Sequence, residues 1–362
     1  MDSDRSFYLA TNTAHGYKSL FEKACLPDAD SRVYIVKGAS SKIRSRFIKD
    51  VANSLSKEGF CFEKILCSYD SNKVEGVIFE DLNVCIFDGN YKNKLDPMFC
   101  ECTQYIINLG EICKRDKLFL KRNEIIPLYN NAKESSMKCN KFLVAAISMQ
   151  EDTSRIIGKC VSADKLEKFV SRFAKKEFGS VSDKIGEISL RFLSTISSDG
   201  YKTQFDTLRN MCARIYVLED KANCVSDTFI SQIKDCALMC GYDIILCVDP
   251  ISSSKLEHII IPELSLGVFT SNQLHQWEGE YTKKINSSRF TDRDTIKNHK
   301  TRIKFNLDAI DELISQSCVH LENMKNNIDL IDEIYDQYSN TDDIDSYVFS
   351  TKEDILSLVD AQ

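Results

Sequence analysis

Residues 33–55 read "VYIVKGASSKIRSRFIKDVANSL". An apolar run, Val33-Tyr34-Ile35-Val36, meets Gly38, and an amphipathic run from Phe47 to Leu55 follows a short polar stretch. A buried strand, a loop opening on glycine and a helix is the layout in which backbone N–H groups cradle phosphate, with the spacing G-x-x-x-x-G-K-[ST]. On that spacing Gly38 takes the first glycine and Ser45 the hydroxyl that would ligate magnesium. Ile43 stands where the second glycine belongs, and Arg44 where the lysine belongs. Lys42 adds a cation one residue earlier than Ile43. Further on, "LNVCIFDGN" (82–90) gives an apolar strand ending in Asp88, a carboxylate of the kind that holds magnesium beside a phosphate loop.

The chain then says much of this again. "GYKSLFEKA" from Gly16 is echoed by "GYKTQFDTL" from Gly200, and residues 34–90 align without a gap with residues 216–272. Phe47 falls on Phe229, Gly59 on Gly241, Lys73 on Lys255, Glu75 on Glu257, Leu82 on Leu264 and Phe87 on Phe269. A shift of about half the chain implies duplication of a whole domain and excludes a short solenoid period. Each copy predicts a strand (33–36; 215–218), a helix ended by glycine (45–57; 228–239), a strand (62–67; 243–248) and a last pair (76–79 and 82–87; 259–261 and 264–269). Continuous apolar strands alternating with a helix predict a mainly parallel sheet covered on both faces. Helical periodicity follows each core, at 106–120, 124–146 and 163–178 and again over 281–338. From Tyr338 the chain turns acidic and polar, which predicts a loose tail with a short docking helix at 355–359.

The second copy keeps less of the loop. Asp220 replaces the first glycine, Val225 the second, Ser226 the lysine and Asp227 the metal-ligating hydroxyl, while Thr270 replaces the acid Asp88. Two carboxylates without a lysine to offset them would repel a triphosphate.

"NTAHGYKSLF", "VYIVKG", "LNVCIFDGN", "YIINLGE", "GYDI" and "IIIPELSLGVF" together resemble a bacterial family of duplicated P-loop ATPase-like proteins, over nearly the whole chain. The resemblance implies an α/β fold with two tandem P-loop NTPase-like cores, each followed by a helical arm. Its segments are 1–100 (first core), 101–185 (first arm), 186–280 (second core), 281–340 (second arm) and 341–362 (acidic tail with a short helix). It also implies nucleotide binding, with ATP hydrolysis or phosphoryl transfer as its chemistry. Gly38, Lys42, Arg44 and Ser45 then form a degenerate phosphate loop, and Ser45 and Asp88 the magnesium ligands. Asp220, Ser226, Asp227 and Thr270 mark the corresponding positions of the second, more degenerate copy. The family's glycine- and proline-rich loop is here Ala39-Ser40-Ser41-Lys42. A β-branched Ile43 avoids the backbone conformations that a glycine there would permit.

Composition bounds the rest. The 362 residues suit two domains or more, and 43% hydrophobic with 28% charged residues describe a globular chain. A net charge of −7 argues against a broad hold on nucleic acid. Thirteen glycines, where average usage gives about twice as many, fit poorly with working glycine-rich ligand loops. The fifteen cysteines are odd in number, follow a polar N-terminus rather than a secretory signal, and lack zinc spacing. Cys100 and Cys102 stand one residue apart, and Cys236 and Cys240 are three residues apart. These features predict free thiols, a cytoplasmic location, and no membrane span. His15, His258, His275, His299 and His320 do not cluster by spacing. Arg115, Lys121, Arg122, Arg289, Arg293, Lys300 and Arg302 lie in the arms, as lid cations or as solvated helix faces. The expectation is a non-catalytic scaffold that binds a protein partner or itself. The alternative is a divergent ATP-binding NTPase or nucleotide kinase using the first copy. No cofactor is expected beyond residual ATP with magnesium.

Overall fold

The computed structural model describes residues 5–24, 31–90, 92–93 and 95–359. The chain divides into two compact units. One takes in the described residues of 1–11, 19–138 and 319–362, and the other those of 12–18 and 139–318.

The sheet of the first unit runs Arg5–Phe7, Glu63–Leu66, Val74–Phe79, Val84–Asp88, Arg32–Lys37, Gln104–Asn108. That of the second runs Ile188–Arg191, Ile244–Val248, Leu256–Ile261, Leu266–Ser271, Arg214–Glu219, Lys283–Asn286. The two orders are the same, and so are the registers. Val77 faces Ile86 as Ile259 faces Val268, and the ladder slips after Ile65 as it does after Cys247. The fold is α/β, with two similar six-stranded sheets.

Each sheet is mixed: three of its five ladders are parallel, as expected, and one strand, Val74–Phe79 or Leu256–Ile261, runs against the other five. In the first, Arg5–Phe7 lies parallel to Glu63–Leu66, and Arg32–Lys37 lies parallel to both of its neighbours. Glu63–Leu66, Val74–Phe79 and Val84–Asp88 form an antiparallel meander between them. The connections decide this. The chain between 66 and 74, and the single 3₁₀ turn Glu80–Leu82, are too short for the crossover that parallel neighbours require. Asn83 closes that turn with φ 51°, as Ser265 does in the second unit with φ 46°.

One face of each sheet is covered by two helices. In the first unit Ser41–Ser56 buries Ile43, Phe47, Ile48, Val51 and Leu55 against Val36, Val77, Phe79 and Ile86. Beside it lies Ile344–Val359, with Ile344 and Ile355 in the same core. The predicted loose tail is therefore mostly a sixteen-residue helix. Its apolar periodicity is diluted by acidic residues on the solvent side, which hid it. In the second unit Ala163–Glu177 and Ser226–Met239 play these parts, with Leu166, Val170, Phe173, Phe229 and Ile233. Helices Arg122–Gly158 and Lys300–Gln337 supply most of the arms. Two strands replace predicted helix. Residues 104–108 and 283–286 each add a parallel edge to their sheet, where "QYIIN" and "KKIN" are too short to show a helical period.

Candidate functional site

In the first unit the strand Arg32–Lys37 runs into Gly38 and Ala39, with φ 82° and 50°, and the helix starts at once. A Cβ on Gly38 would lie 2.2 Å from the Gly110 nitrogen, so two backbones touch there and glycine is required. Ser40 is the N-cap, its Oγ accepting from the Ile43 N–H at 3.1 Å. Helix thus begins at Ser41, four residues before the predicted start at Ser45. Ile43 and Arg44 lie in its first turn, not in a loop. A capping serine and a helix-compatible Ile43 favour early nucleation over the strained open path.

Arg44 and Asp88 come together as a buried pair, Nε to Oδ1 at 2.7 Å, with side-chain exposures of 12% and 4%. Burial works to lower the Arg44 pKa, but the charge and hydrogen bond of Asp88 outweigh it, and the net shift is upward. Arg44 Nη1 also donates to the carbonyl oxygens of Gly38 and Ala39, at 3.0 and 2.9 Å. The loop therefore turns carbonyls, not amides, toward its central side chain. That polarity suits a cation and opposes a phosphate.

The N-terminus of the helix is taken by carboxylates. Asp332, from Lys300–Gln337, accepts from the Ser41 N–H at 2.9 Å and from Ser41 Oγ at 2.6 Å. Asp336 accepts from Ser40 Oγ at 3.1 Å and pairs with Lys42 at 3.0 Å. Lys73 is held between Asp332 at 2.9 Å and Asp329 at 3.2 Å. Here burial lowers the Lys73 pKa and the carboxylates reverse the effect, Asp332 most of all. Ser45 turns inward, its Oγ accepting from the Val74 N–H at 2.8 Å, so it braces the strand Val74–Phe79.

The second unit resolves the same corner with the opposite charge. Asp220 is buried, and its Oδ2 accepts from the backbone N–H groups of Val225 and Ser226 at 2.6 and 2.9 Å. These amides point inward as they would toward a phosphate, and a carboxylate of the same chain fills them. Burial pushes the Asp220 pKa up, against the pull of those hydrogen bonds. Ser226 Oγ donates to Asn223, which adopts φ 50° and whose amide reaches Asp249 at 2.7 Å. Asp227 accepts from the Leu256 N–H at 2.9 Å, the counterpart of Ser45 and Val74. Thr270 Oγ1 donates to the Glu257 carbonyl at 2.6 Å.

Sequence reasoning missed three groups. Asp329, Asp332 and Asp336 share a helix face, but nothing local says what that face meets. Glu75 and Glu257 were visible only as an aligned pair. Both are fully buried, and burial raises their pKa values to about 7 and about 8. The histidines were expected not to cluster, yet His258 and His275 meet at 5.3 Å between ring centroids, because a strand and the loop after its neighbour converge. With Glu257 they form the one group among the described residues whose donor atoms could surround a metal ion.

The donor set is that of zinc, but the protons are wrong for it. Burial lowers the pKa values of His258 and His275 to about 3 and about 4, so both rings are neutral. The Thr270 N–H donates to His258 Nδ1 at 3.1 Å, so Nδ1 carries the lone pair and the ring proton sits on Nε2. That nitrogen faces Glu257 Oε2 at 3.2 Å, within ion-pair reach though off hydrogen-bond alignment, and cannot ligate while protonated. His275 Nε2 donates to the Thr270 carbonyl at 2.8 Å, which leaves only Nδ1 free to ligate. The two rings thus serve the backbone of Thr270 from both sides.

A cleft of about 510 Å³ opens beside the first loop, lined by Gly38, Ala39, Gly110, Arg115, Arg122 and Tyr335. Of the arm cations, Lys121 pairs with Glu124, Arg122 lies over Phe119, and Arg302 clasps Asp152 with two hydrogen bonds at 2.8 and 2.7 Å. The Arg293 side chain lies outside the described residues. Fold and corner together define an α/β protein with two similar sheet units, in which the turn after one strand of each sheet is closed by the chain's own charges. Comparison with protein families, with curated proteins and with solved structures returns no match. No helix among the described residues is long and apolar enough to cross a membrane.

Proposed function

We propose that this chain is a tandemly duplicated, degenerate P-loop NTPase-like protein that acts as a non-catalytic scaffold or partner-binding module. The supporting observation is the closure of both phosphate corners by internal groups. Arg44 pairs with Asp88 and draws loop carbonyls inward, and Asp220 occupies the amides of Val225 and Ser226. Phosphoryl transfer depends on positioning and charge stabilisation, and here the positioning groups are spent on each other. A magnesium ion at Asp88 would have to displace a buried guanidinium, and Ser45 faces away toward Val74. The identical strand order and register of the two sheets support the duplication. Phe119 and Leu120, 64% and 68% exposed on the first arm, offer apolar surface to a protein partner or a second copy.

The cleft beside Gly38 favours a second reading, nucleotide binding at the first unit, since crevices at the carboxyl ends of parallel strands are where α/β sheets take ligands. Titration with labelled ATP and GTP, with and without magnesium, separates the two. The scaffold reading expects neither saturable binding nor phosphate release. Magnesium-dependent turnover lost on Asp88→Ala would overturn it in favour of a divergent enzyme. Saturable binding without turnover, lost on Arg115→Ala, would assign the cleft.

A further inference from the structure

Fourteen cysteines fall among the described residues, and none of them is in a disulfide. Most are buried or half-buried, and burial pushes thiols such as Cys212 up to about 12 and Cys318 up to about 11, where they hold their protons. Three are exposed: Cys61, Cys100 and Cys102. Two of these share one turn, in "PMFCECTQY" (97–105), just before the edge strand Gln104–Asn108.

That turn is held by its own backbone. The Phe99 carbonyl accepts from the N–H groups of Cys102, Thr103 and Gln104, each at 3.2 Å, and the Glu101 N–H donates to the Gln104 carbonyl at 2.9 Å. Gln104 Oε1 accepts from Met98 and Phe99. Between the two cysteines Glu101 adopts φ 57°, in the left-handed region, where a non-glycine residue has one narrow range of ψ. A residue so folded, between trans peptides, sets its neighbours' Cα atoms about 5.4 Å apart, the chord of two helical steps. An extended residue would hold them at about 6.7 Å. The shorter span lies well inside the usual Cα separation of disulfides, about 4.4–6.8 Å, and just below its commonest value of about 5.5–6 Å, while the extended span sits at its upper limit.

We propose that Cys100 and Cys102 form a reversible dithiol–disulfide site, oxidised by small-molecule disulfides of the glutathione class. The thiolate of one cysteine attacks a sulfur of the reagent. The reagent's S–S bond breaks, one half leaves as a thiolate, and a mixed disulfide remains on the protein. The second cysteine, as thiolate, attacks the protein-side sulfur and expels the other half. The protein loses two protons and two electrons, and the reagent gains them as two thiols. Exposure gives the reagent access, and closure over a single intervening residue leaves the bond open to reduction. Oxidation staples the turn that leads into Gln104–Asn108.

Cys61, exposed without a near neighbour in sequence, is the internal control. The full chain is incubated with oxidised glutathione, the remaining thiols are alkylated, and peptides are weighed by mass spectrometry. The expected result is a peptide bearing Cys100 and Cys102 that has lost the mass of two hydrogens, while Cys61 carries a glutathione adduct. In Cys102→Ser, with an unchanged circular dichroism spectrum, Cys100 should instead keep a stable adduct. Glutathione on both Cys100 and Cys102 of the unaltered chain would overturn the proposal. So would no reaction at either cysteine, or a co-purifying thiophilic cation that blocks them both.

Discussion

At the scale of the residue, the corner at Arg44 is a charge problem solved internally. A buried ion pair adds little net stability, but removing one partner strands the other. Arg44→Ala should destabilise the first unit by about 3–5 kcal/mol, read as a lower denaturant midpoint, because Asp88 would lose its cation in a buried setting. Arg44→Ala with Asp88→Ala should recover part of that loss, and a double variant no better than the single would show that the pair is incidental. Ala39 tests the loop from the other side. Its φ of 50° costs a non-glycine residue about 1 kcal/mol. Ala39→Gly should therefore raise thermal stability slightly, the relief of strain set against the greater freedom of the unfolded chain. A fall would mean that the Ala39 methyl packs to more effect than its strain.

At the scale of the element, the strands after each helix carry buried ionisable groups whose titration shapes stability. Burial, helped by Asp88, raises Glu75 from its usual 4.5 to about 7. The folded state thus prefers Glu75 protonated. Its contribution is complete below pH 4.5 and is lost as pH rises through about 7, an effect of up to about 3 kcal/mol. The Glu257 counterpart extends the loss to about 8. His258 and His275 act in reverse. Their folded pKa values of about 3 and 4 lie below the usual 6.5, so their contribution stands above 6.5 and is lost as pH falls through about 4. Glu75→Gln, which mimics the protonated acid, should flatten the decline of melting temperature between about pH 5 and 7 while leaving the acid limb unchanged. A parallel curve at all pH values would count against a buried neutral Glu75. The histidine tautomers make a separate prediction: metal analysis of the freshly purified chain should find no stoichiometric zinc. Stoichiometric zinc would mean that the His258 ring turns over and gives up its bond to Thr270.

At the scale of the whole molecule, sequence order and spatial units part company. Residues 1–185 read as a complete core with its arm, yet the first unit also includes residues from 319 onward. Asp332 and Asp336 cap Ser41 and Ser40, and Ile344 and Ile355 complete the core over Ser41–Ser56. A chain cut after residue 185 should fail to fold cooperatively, judged by hydrogen exchange over Arg32–Lys37, because about a helix's worth of apolar cover is missing. A sharp, protected fragment would show that the first core stands without its distant helices.

Sequence by itself determined the α/β alternation, the positions of the four aligned core strands of each copy within a few residues, and the pairing of Gly38 with Asp220 and of Asp88 with Thr270 across the halves. Those follow from apolar periodicity and matching spacing, which are local and repeat along the chain. The antiparallel meander was not read from the sequence, although the connections between 66 and 74 and between 79 and 84 leave no room for a crossover. Only the tertiary structure decided which way the loop's polar groups point. The helix begins at Ser41 in the first copy and three aligned positions later, at Ser226, in the second, and with that shift inward amides are exchanged for inward carbonyls; it depends on Ser40 as cap, on Gly110 against Gly38 and on Arg44 meeting Asp88. It alone brought Asp332 to Ser41 and His258 to His275. Asp332 and Ser41 are 291 residues apart and are joined by a carboxylate at a helix N-terminus, while the two histidines are brought together by burial where a strand meets the loop after its neighbour.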